Sequence, residues 1–120
     1  MAKKSKVIIY HNVRCSKSRC ALELLEENGV EAEVIHYLET PPGKEELTEL
    51  VRKLGITPEE LVRKKEPVFL EKYKDKKLSP SQWIAAMVKH PELIERPVIV
   101  KGNKAVIGRE AEKVLGIIGK

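Results

Sequence analysis

The chain predicts an α/β fold, one mixed sheet with helices packed on it, on three grounds. Short β-branched runs alternate with helical periodicities at its two ends, in the order β-α-β and then β-β-α. Between those ends, from about residue 43 to 95, helical signals follow one another with no strand signal. Finally, 120 residues that are 42% hydrophobic and 34% charged match one domain able to bury roughly two-thirds of its unfolded surface. The expected organisation is a single domain over residues 1–120 carrying a helical insertion at about 43–95.

After a basic start over residues 1–5, residues 6–10 form a β-branched run suited to a buried strand, and His11-Asn12-Val13-Arg14-Cys15-Ser16 breaks it. From Lys17 onward Cys20, Ala21, Leu24 and Leu25 recur at helical spacing, with Arg19, Glu23, Glu26 and Glu27 on the other face and Asn28-Gly29 as the stop. Residues 30–38 alternate, then end almost continuously apolar. They read as a second strand, reached by a connection long enough to run parallel to the first. Pro41-Pro42-Gly43 opens the insertion, where residues 44–54 put Leu47, Leu50, Val51 and Leu54 on one face and stop at Gly55. Thr57-Pro58-Glu59-Glu60 and Ser79-Pro80-Ser81-Gln82 each combine an N-cap, Pro at the first helical position and a capping-box residue. Residues 66–77, between them, are charged and irregular. Residues 97–100 and 105–107 return to β character around a Gly102-Asn103 turn, and residues 110–118 close the chain as an apolar-faced helix.

Composition narrows the function. The excess of 23 Lys and Arg over 18 Asp and Glu, a net charge of +5, favours anionic partners. Aromatics are only 4%, too few for base-stacking platforms, so nucleic acid is not expected and a small anion is. The longest apolar runs, residues 7–10 and 83–88, are far too short to span a bilayer, so no membrane association is expected and the cytoplasm is the expected location. Two cysteines cannot build a disulfide scaffold; in a reducing compartment they are core, metal-binding or catalytic thiols.

Cys15 falls at the strand-to-helix turn, where free backbone N–H groups favour an anion. A thiol of pKa ~8.5 is only about 3% ionised at pH 7, and lowering it to ~6.5 takes about 2.7 kcal/mol. A helix terminus supplies ~0.3 to 1 kcal/mol, so cations and donors nearby must add to it. Arg14, Lys17, Arg19 and His11 are at hand, with Ser16 and Ser18 as hydroxyl donors. Cys20 falls about 140° around the helix from Cys15, beside Ala21 and in line with Leu24, and reads as a core residue; the alternative is a resolving thiol in a C-x4-C pair. A zinc site from His11, Cys15, Cys20 and His36 lacks paired-ligand spacing, and no metal is expected. His11, four residues before Cys15, either holds the loop or tunes the thiol, while His90 reads as a helix-end residue. Arg63, Arg96 and Arg109 are solvated charges by composition alone. The last two fall at strand ends, however, where loops converge, and Arg suits bidentate binding of tetrahedral oxyanions.

Tyr10-His11-Asn12-Val13-Arg14-Cys15-Ser16-Lys17-Ser18-Arg19, followed by an Ala-Leu-Glu-Leu-Leu helix, resembles the active-site segment of the glutaredoxin-coupled arsenate reductases. Tyr37-Leu38-Glu39-Thr40-Pro41-Pro42, the segment from Val62 to Pro67, the segment from His90 to Pro97, and Ala105-Val106-Ile107-Gly108-Arg109 resemble that family's other segments, in order and at similar spacing. The resemblance implies a thioredoxin-like fold with a helical insert. It implies Cys15 as nucleophile, Arg63, Arg96 and Arg109 as ligands of the oxyanion and the arsenic adduct, and His11 and Ser18 as thiol-activating residues. Pro97 matches the cis-proline position of thioredoxin-like folds. Arsenate is the implied substrate, glutathione and glutaredoxin the implied donors, and no tightly bound cofactor is required. The chain departs from the family pattern twice: Val13 stands where Pro is usual, and Cys20 where a non-thiol is usual. A general glutathione-dependent thiol-disulfide oxidoreductase is the rival enzyme. Redox-sensing regulators of the same fold that bind RNA polymerase use a C-x-x-C pair, and Ser18 here replaces its second Cys.

Overall fold

The computed structural model describes residues 7–119; the basic start at residues 1–5 and Lys6 of the expected first strand lie outside them. The chain divides into two compact units. The first takes in the chain up to Thr40 and again from Arg96, and the second is Pro41–Glu95.

In the first unit, β1 (Val7–His11), β2 (Ala32–His36), β3 (Val98–Lys101) and β4 (Lys104–Ile107) make a four-stranded mixed sheet in the order β2-β1-β3-β4. β1 runs parallel to β2, with His11 opposite His36, and antiparallel to β3, with Tyr10 opposite Val98. β3 and β4 form the hairpin, Val98 opposite Ile107. Helices α1 (Ser16–Glu27) and α5 (Ala111–Ile117) belong to this unit. Its core joins Val7, Ile9 and Ile99 of the strands to Ala21 and Leu25 of α1 and to Val114 and Ile118 at α5. Each Val, Leu and Ile among them contributes about 1.5–3 kcal/mol by leaving water.

β1 extends one residue beyond the run read as strand, because His11 pairs in register with His36. β2 is shorter than the expected 30–38. The chain turns after His36, whose carbonyl accepts the N–H groups of Glu39 and Thr40, both at 2.9 Å.

The second unit holds α2 (Lys44–Leu54), α3 (Pro67–Lys72) and α4 (Pro80–Lys89), with 3-10 turns at Pro58–Leu61 and Pro91–Leu93. Leu47, Leu50, Leu61, Trp83, Met87, Leu93 and Ile94 are buried within it. Gly55, at φ 69, caps α2 in the left-handed region that favours glycine. Ser79 accepts the Gln82 N–H and closes its capping box, starting α4 where the sequence places it. Thr57 also forms its capping box, but the helix it opens is only a 3-10 turn. Val62 is extended and bridges Ile94, which draws the chain out of the helical path. Residues 66–77 are not irregular throughout: Pro67 starts α3, whose Phe69 stacks on Trp83 with ring centroids 6.1 Å apart.

Candidate active site

Cys15 is the N-cap of α1, extended at φ −95 and ψ 119, so its carbonyl opens the helix by accepting the Arg19 N–H at 3.0 Å. The preceding loop is tied down residue by residue. The Cys15 N–H donates to the Asn12 carbonyl at 3.0 Å, the Asn12 side-chain oxygen accepts the Arg14 N–H at 2.9 Å, and Arg19 donates to the Val13 carbonyl at 3.1 Å. This Asn12 turn and the Arg19 clamp hold the bend although Val13 replaces the family's proline.

Burial pushes the Cys15 thiol up, but three donors outweigh it: the Ser18 N–H, the Arg96 guanidinium and the Lys17 N–H. The net result is a thiol whose pKa is below the ordinary range, with the charge of Arg96 adding to the hydrogen bonds. The activating cation therefore comes from the far end of the sequence. Lys17 acts on this thiol through its backbone, as does Ser18.

The Ser18 hydroxyl has another task. It is fully buried, accepts the Asn12 N–H at 3.0 Å and lies 2.7 Å from His11 Nδ1. His11 is buried too, and burial, then His36, then Arg19 lower its pKa. A neutral His11 whose Nδ1 accepts the Ser18 O–H fits this arrangement. His11 thus reaches the Cys15 loop through Ser18.

The hairpin sets the backbone positions of Arg96 and Arg109. Val98 faces Ile107, and one step further out the Gly108 N–H donates to the Pro97 carbonyl at 2.7 Å, which sets Arg96 opposite Arg109 across the two strand ends. The Arg96–Pro97 peptide bond is cis. Gly108 is closely packed here: a Cβ would come within 2.7 Å of Ile99 Cδ1 and 3.2 Å of Val114 Cγ2, so the core side chains would have to give way. One thiolate-favouring helix start beside two arginine-bearing strand ends can attract a small tetrahedral anion and attack it.

The model of the ArsC family matches residues 10–117. The chain belongs to the ArsC family. It is 51% identical over 115 residues to the uncharacterized protein YfgD of Escherichia coli (strain K12), covering 94% of this chain and 97% of that one. It is 41% identical over 112 residues to an arsenate reductase of Neisseria meningitidis serogroup A, covering 92% and 96%. Among solved structures, an arsenate reductase from Vibrio cholerae superposes with a TM-score of 0.90 at 45% identity, covering 96% of this chain and 99% of that one. The fold is accordingly thioredoxin-like, as the sequence resemblance implies.

Within this ArsC chain, Arg63 belongs to the second unit. Its N–H donates to the Leu93 carbonyl at 2.6 Å, and its guanidinium lies 3.8 Å from Glu66 and 3.9 Å from Glu95. Cys20 corrects the sequence reading: it is exposed and not part of the core. The face that α1 buries is set by Ser18, Ala21 and Leu25, and Cys20 stands some 130° from its centre, with Leu24 on the flank. Cys20 borders a shallow groove with Lys17, Leu24, Gly108 and Arg109.

Two contributors escaped the sequence reading. Tyr37 is fully buried, its hydroxyl beside Arg96 and Asn12; burial raises its pKa and the Arg96 charge works against that. Asn12 organises the loop through both its backbone and its side chain. The only signal was that Tyr37 and Asn12 lie inside the segments carrying the resemblance. Among the described residues, no three His, Cys, Asp or Glu side chains cluster to hold a metal ion, and no helix is long and apolar enough to cross a membrane.

Proposed function

We propose that this chain reduces arsenate to arsenite, with Cys15 as the nucleophile and with glutathione and glutaredoxin as the source of electrons. This reading is carried by Cys15 standing as the N-cap of α1, with the Ser18 and Lys17 N–H groups and the Arg96 guanidinium holding its thiol below the ordinary pKa range. Donors that favour a thiolate there also favour a tetrahedral oxyanion, and relatives named arsenate reductase support arsenic as its centre.

In the first step the Cys15 thiolate attacks As(V), one arsenate oxygen leaves as water after protonation, and a Cys15 Sγ–As bond forms. Glutathione thiolate then attacks Cys15 Sγ. The Sγ–As bond breaks with its electron pair remaining on arsenic, which departs as As(III), and a Cys15–glutathione disulfide remains. A second glutathione thiolate, delivered through glutaredoxin, frees Cys15 and leaves as the oxidised disulfide. Arg96 and Arg109 bind the oxyanion and the adduct, and Arg63 joins them on the family resemblance alone. The reaction uses no tightly bound cofactor or metal and belongs in the cytoplasm, where thiols are kept reduced.

The test is arsenate-dependent oxidation of glutathione in the presence of glutaredoxin. The wild type turns over and Cys15→Ser does not; substantial turnover by Cys15→Ser overturns the assignment. If the protein reduces a glutathione mixed disulfide but not arsenate, it is a general thiol-disulfide oxidoreductase. Turnover supported by thioredoxin without glutathione reassigns the donor.

A further inference from the structure

Asn12-Val13-Arg14-Cys15 is a β-turn: the Cys15 N–H donates to the Asn12 carbonyl at 3.0 Å, which leaves Val13 and Arg14 at its corners. The turn is held in place. The Asn12 side-chain oxygen accepts the Arg14 N–H at 2.9 Å, and the Arg19 guanidinium donates to the Val13 carbonyl at 3.1 Å. Val13 is nonetheless 54% exposed, an apolar side chain set in water two residues from the nucleophile. Leu38, 45% exposed, joins it. β1 and β2 run parallel with His11 opposite His36, so the chain leaves both strands at the same end, where Val13 and Leu38 line one cavity of about 360 Å³. Among the described residues one other large apolar side chain is exposed, Leu70, on α3 of the other unit. Single apolar residues on a surface are ordinary, whereas a pair sharing one depression at a reactive loop marks a contact site.

Charge decides what kind of surface covers the pair. Arg14, Lys17 and Arg19 are all exposed around the start of α1, and the Arg19 guanidinium is fixed against the turn itself. Against them, Glu39 is the one carboxylate among the residues lining the cavity. A second copy of this chain, itself at +5, would bring those cations against their own kind across a two-fold contact. An acidic surface would be drawn in.

We propose that Val13 and Leu38, rimmed by Arg14, Lys17 and Arg19, dock the protein thiol that regenerates Cys15: a small redox protein with an apolar side chain beside its cysteine and an acidic rim. The inference rests on the reading that an external thiol discharges Cys15. A protein partner covers about 800 Å², a footprint about 30 Å across. Two residues of chain span at most about 7 Å, so a protein whose sulfur reaches the Cys15 disulfide has Val13 within the compass of its footprint. In the exchange the partner's thiolate attacks the glutathione sulfur of the Cys15–glutathione disulfide. The S–S bond breaks with its electron pair on Cys15 Sγ, and glutathione passes to the partner as a mixed disulfide that a further glutathione reduces. A free small thiol has no such footprint and is indifferent to the patch.

The test bypasses arsenate. Cys15 is loaded with glutathione in a Cys20→Ser background, and its release is followed with two reductants, a glutaredoxin of net negative charge and dithiothreitol, with and without the double change Val13→Ser and Leu38→Ser. The double variant lowers the second-order rate constant for glutaredoxin about tenfold and leaves that for dithiothreitol unchanged. Raising the ionic strength from about 50 to about 500 mM slows the glutaredoxin reaction several-fold, and slows it less in Arg14→Gln. Equal glutaredoxin rates with and without the double change, a glutaredoxin rate indifferent to salt, or a loss of the same size with both reductants overturns the docking surface while leaving the external thiol in place. A glutaredoxin that does not discharge the loaded protein at all, where dithiothreitol does, overturns the reading of the donor and the inference with it. Self-association in sedimentation that the double variant loses gives the patch to a second copy and overturns the proposal. The unchanged dithiothreitol rate and an unchanged unfolding midpoint separate lost docking from a disturbed loop.

Discussion

Gly108→Ala and Gly116→Ala add the same methyl group and are predicted to act in opposite directions. At Gly108 the new Cβ comes within 2.7 Å of Ile99 Cδ1 and 3.2 Å of Val114 Cγ2. Ile99 and Val114 are core residues with almost no exposure, so the Ile99 terminal methyl must move against packed neighbours or the backbone between β4 and α5 must shift. Overpacking of this kind costs about 1–3 kcal/mol. At Gly116, exposed within α5, nothing lies within 4 Å of a Cβ. There the methyl restricts the unfolded chain and favours helix, a gain of about 0.5–1 kcal/mol. The two variants therefore differ by about 1.5–4 kcal/mol, on the order of 10 °C in melting temperature for a domain of this size. Thermal and urea unfolding of both against the wild type measure it. The Gly108 shift also disturbs the N–H donated to Pro97 and the facing of Arg96 and Arg109, so Gly108→Ala raises KM for arsenate while Gly116→Ala leaves it alone. A Gly108→Ala protein as stable as the wild type refutes the close-packing argument.

Ser18→Ala strips a buried partner from both the Asn12 N–H and His11 Nδ1 and lowers stability by about 2–4 kcal/mol in urea unfolding. Because Ser18 acts on the thiol through its N–H, the alkylation midpoint of Cys15 shifts by less than about half a pH unit in that variant, a small effect beside loss of a charged donor. The lowered pKa of His11 means that the unfolded chain binds more protons than the folded one as the pH falls through the unfolded imidazole's range. Stability is then lost on acidification below about pH 6.5, by at most ~1.4 kcal/mol per unit for this one proton; the loss is shallower in His11→Asn. Exposed Cys20→Ser changes stability by less than about 0.5 kcal/mol and leaves kcat unchanged, measured by unfolding and turnover.

How far the fold could be read ahead of the structure depended on whether the deciding physics was local. Helix α2 begins and ends where its punctuation lies, at Gly43 and Gly55, and α4 starts at the Ser79 box, since caps act within one turn of chain. The Thr57 box is just as local, yet the helix aborts because Val62 is claimed by Ile94, a partner over thirty residues away. α3 was hidden by its charge, and what holds it is Phe69 on Trp83. Cys20 shows the same limit on one helix. Periodicity states which residues share a stripe, but whether that stripe is centred on Leu24 or on Ser18 and Ala21 depends on where the sheet and α5 lie. At the site, Cys15 was legible from its position at a strand-to-helix turn, whereas its cation was not: Arg96 reaches it through strand register. The hairpin that pairs Arg96 with Arg109 was visible as a turn, and its register followed only from the sheet.

The central claim is that the start of α1 and Arg96 together make Cys15 an anion-binding nucleophile. The pH dependence of Cys15 alkylation tests it most directly, run in a Cys20→Ser background with and without arsenate and repeated in Arg96→Gln. The account predicts a midpoint below the ~8.5 of a free thiol, slower alkylation when arsenate is present, and an upward shift of the midpoint when Arg96 loses its charge. A midpoint at or above that of a free thiol, indifferent to both arsenate and Arg96, contradicts it.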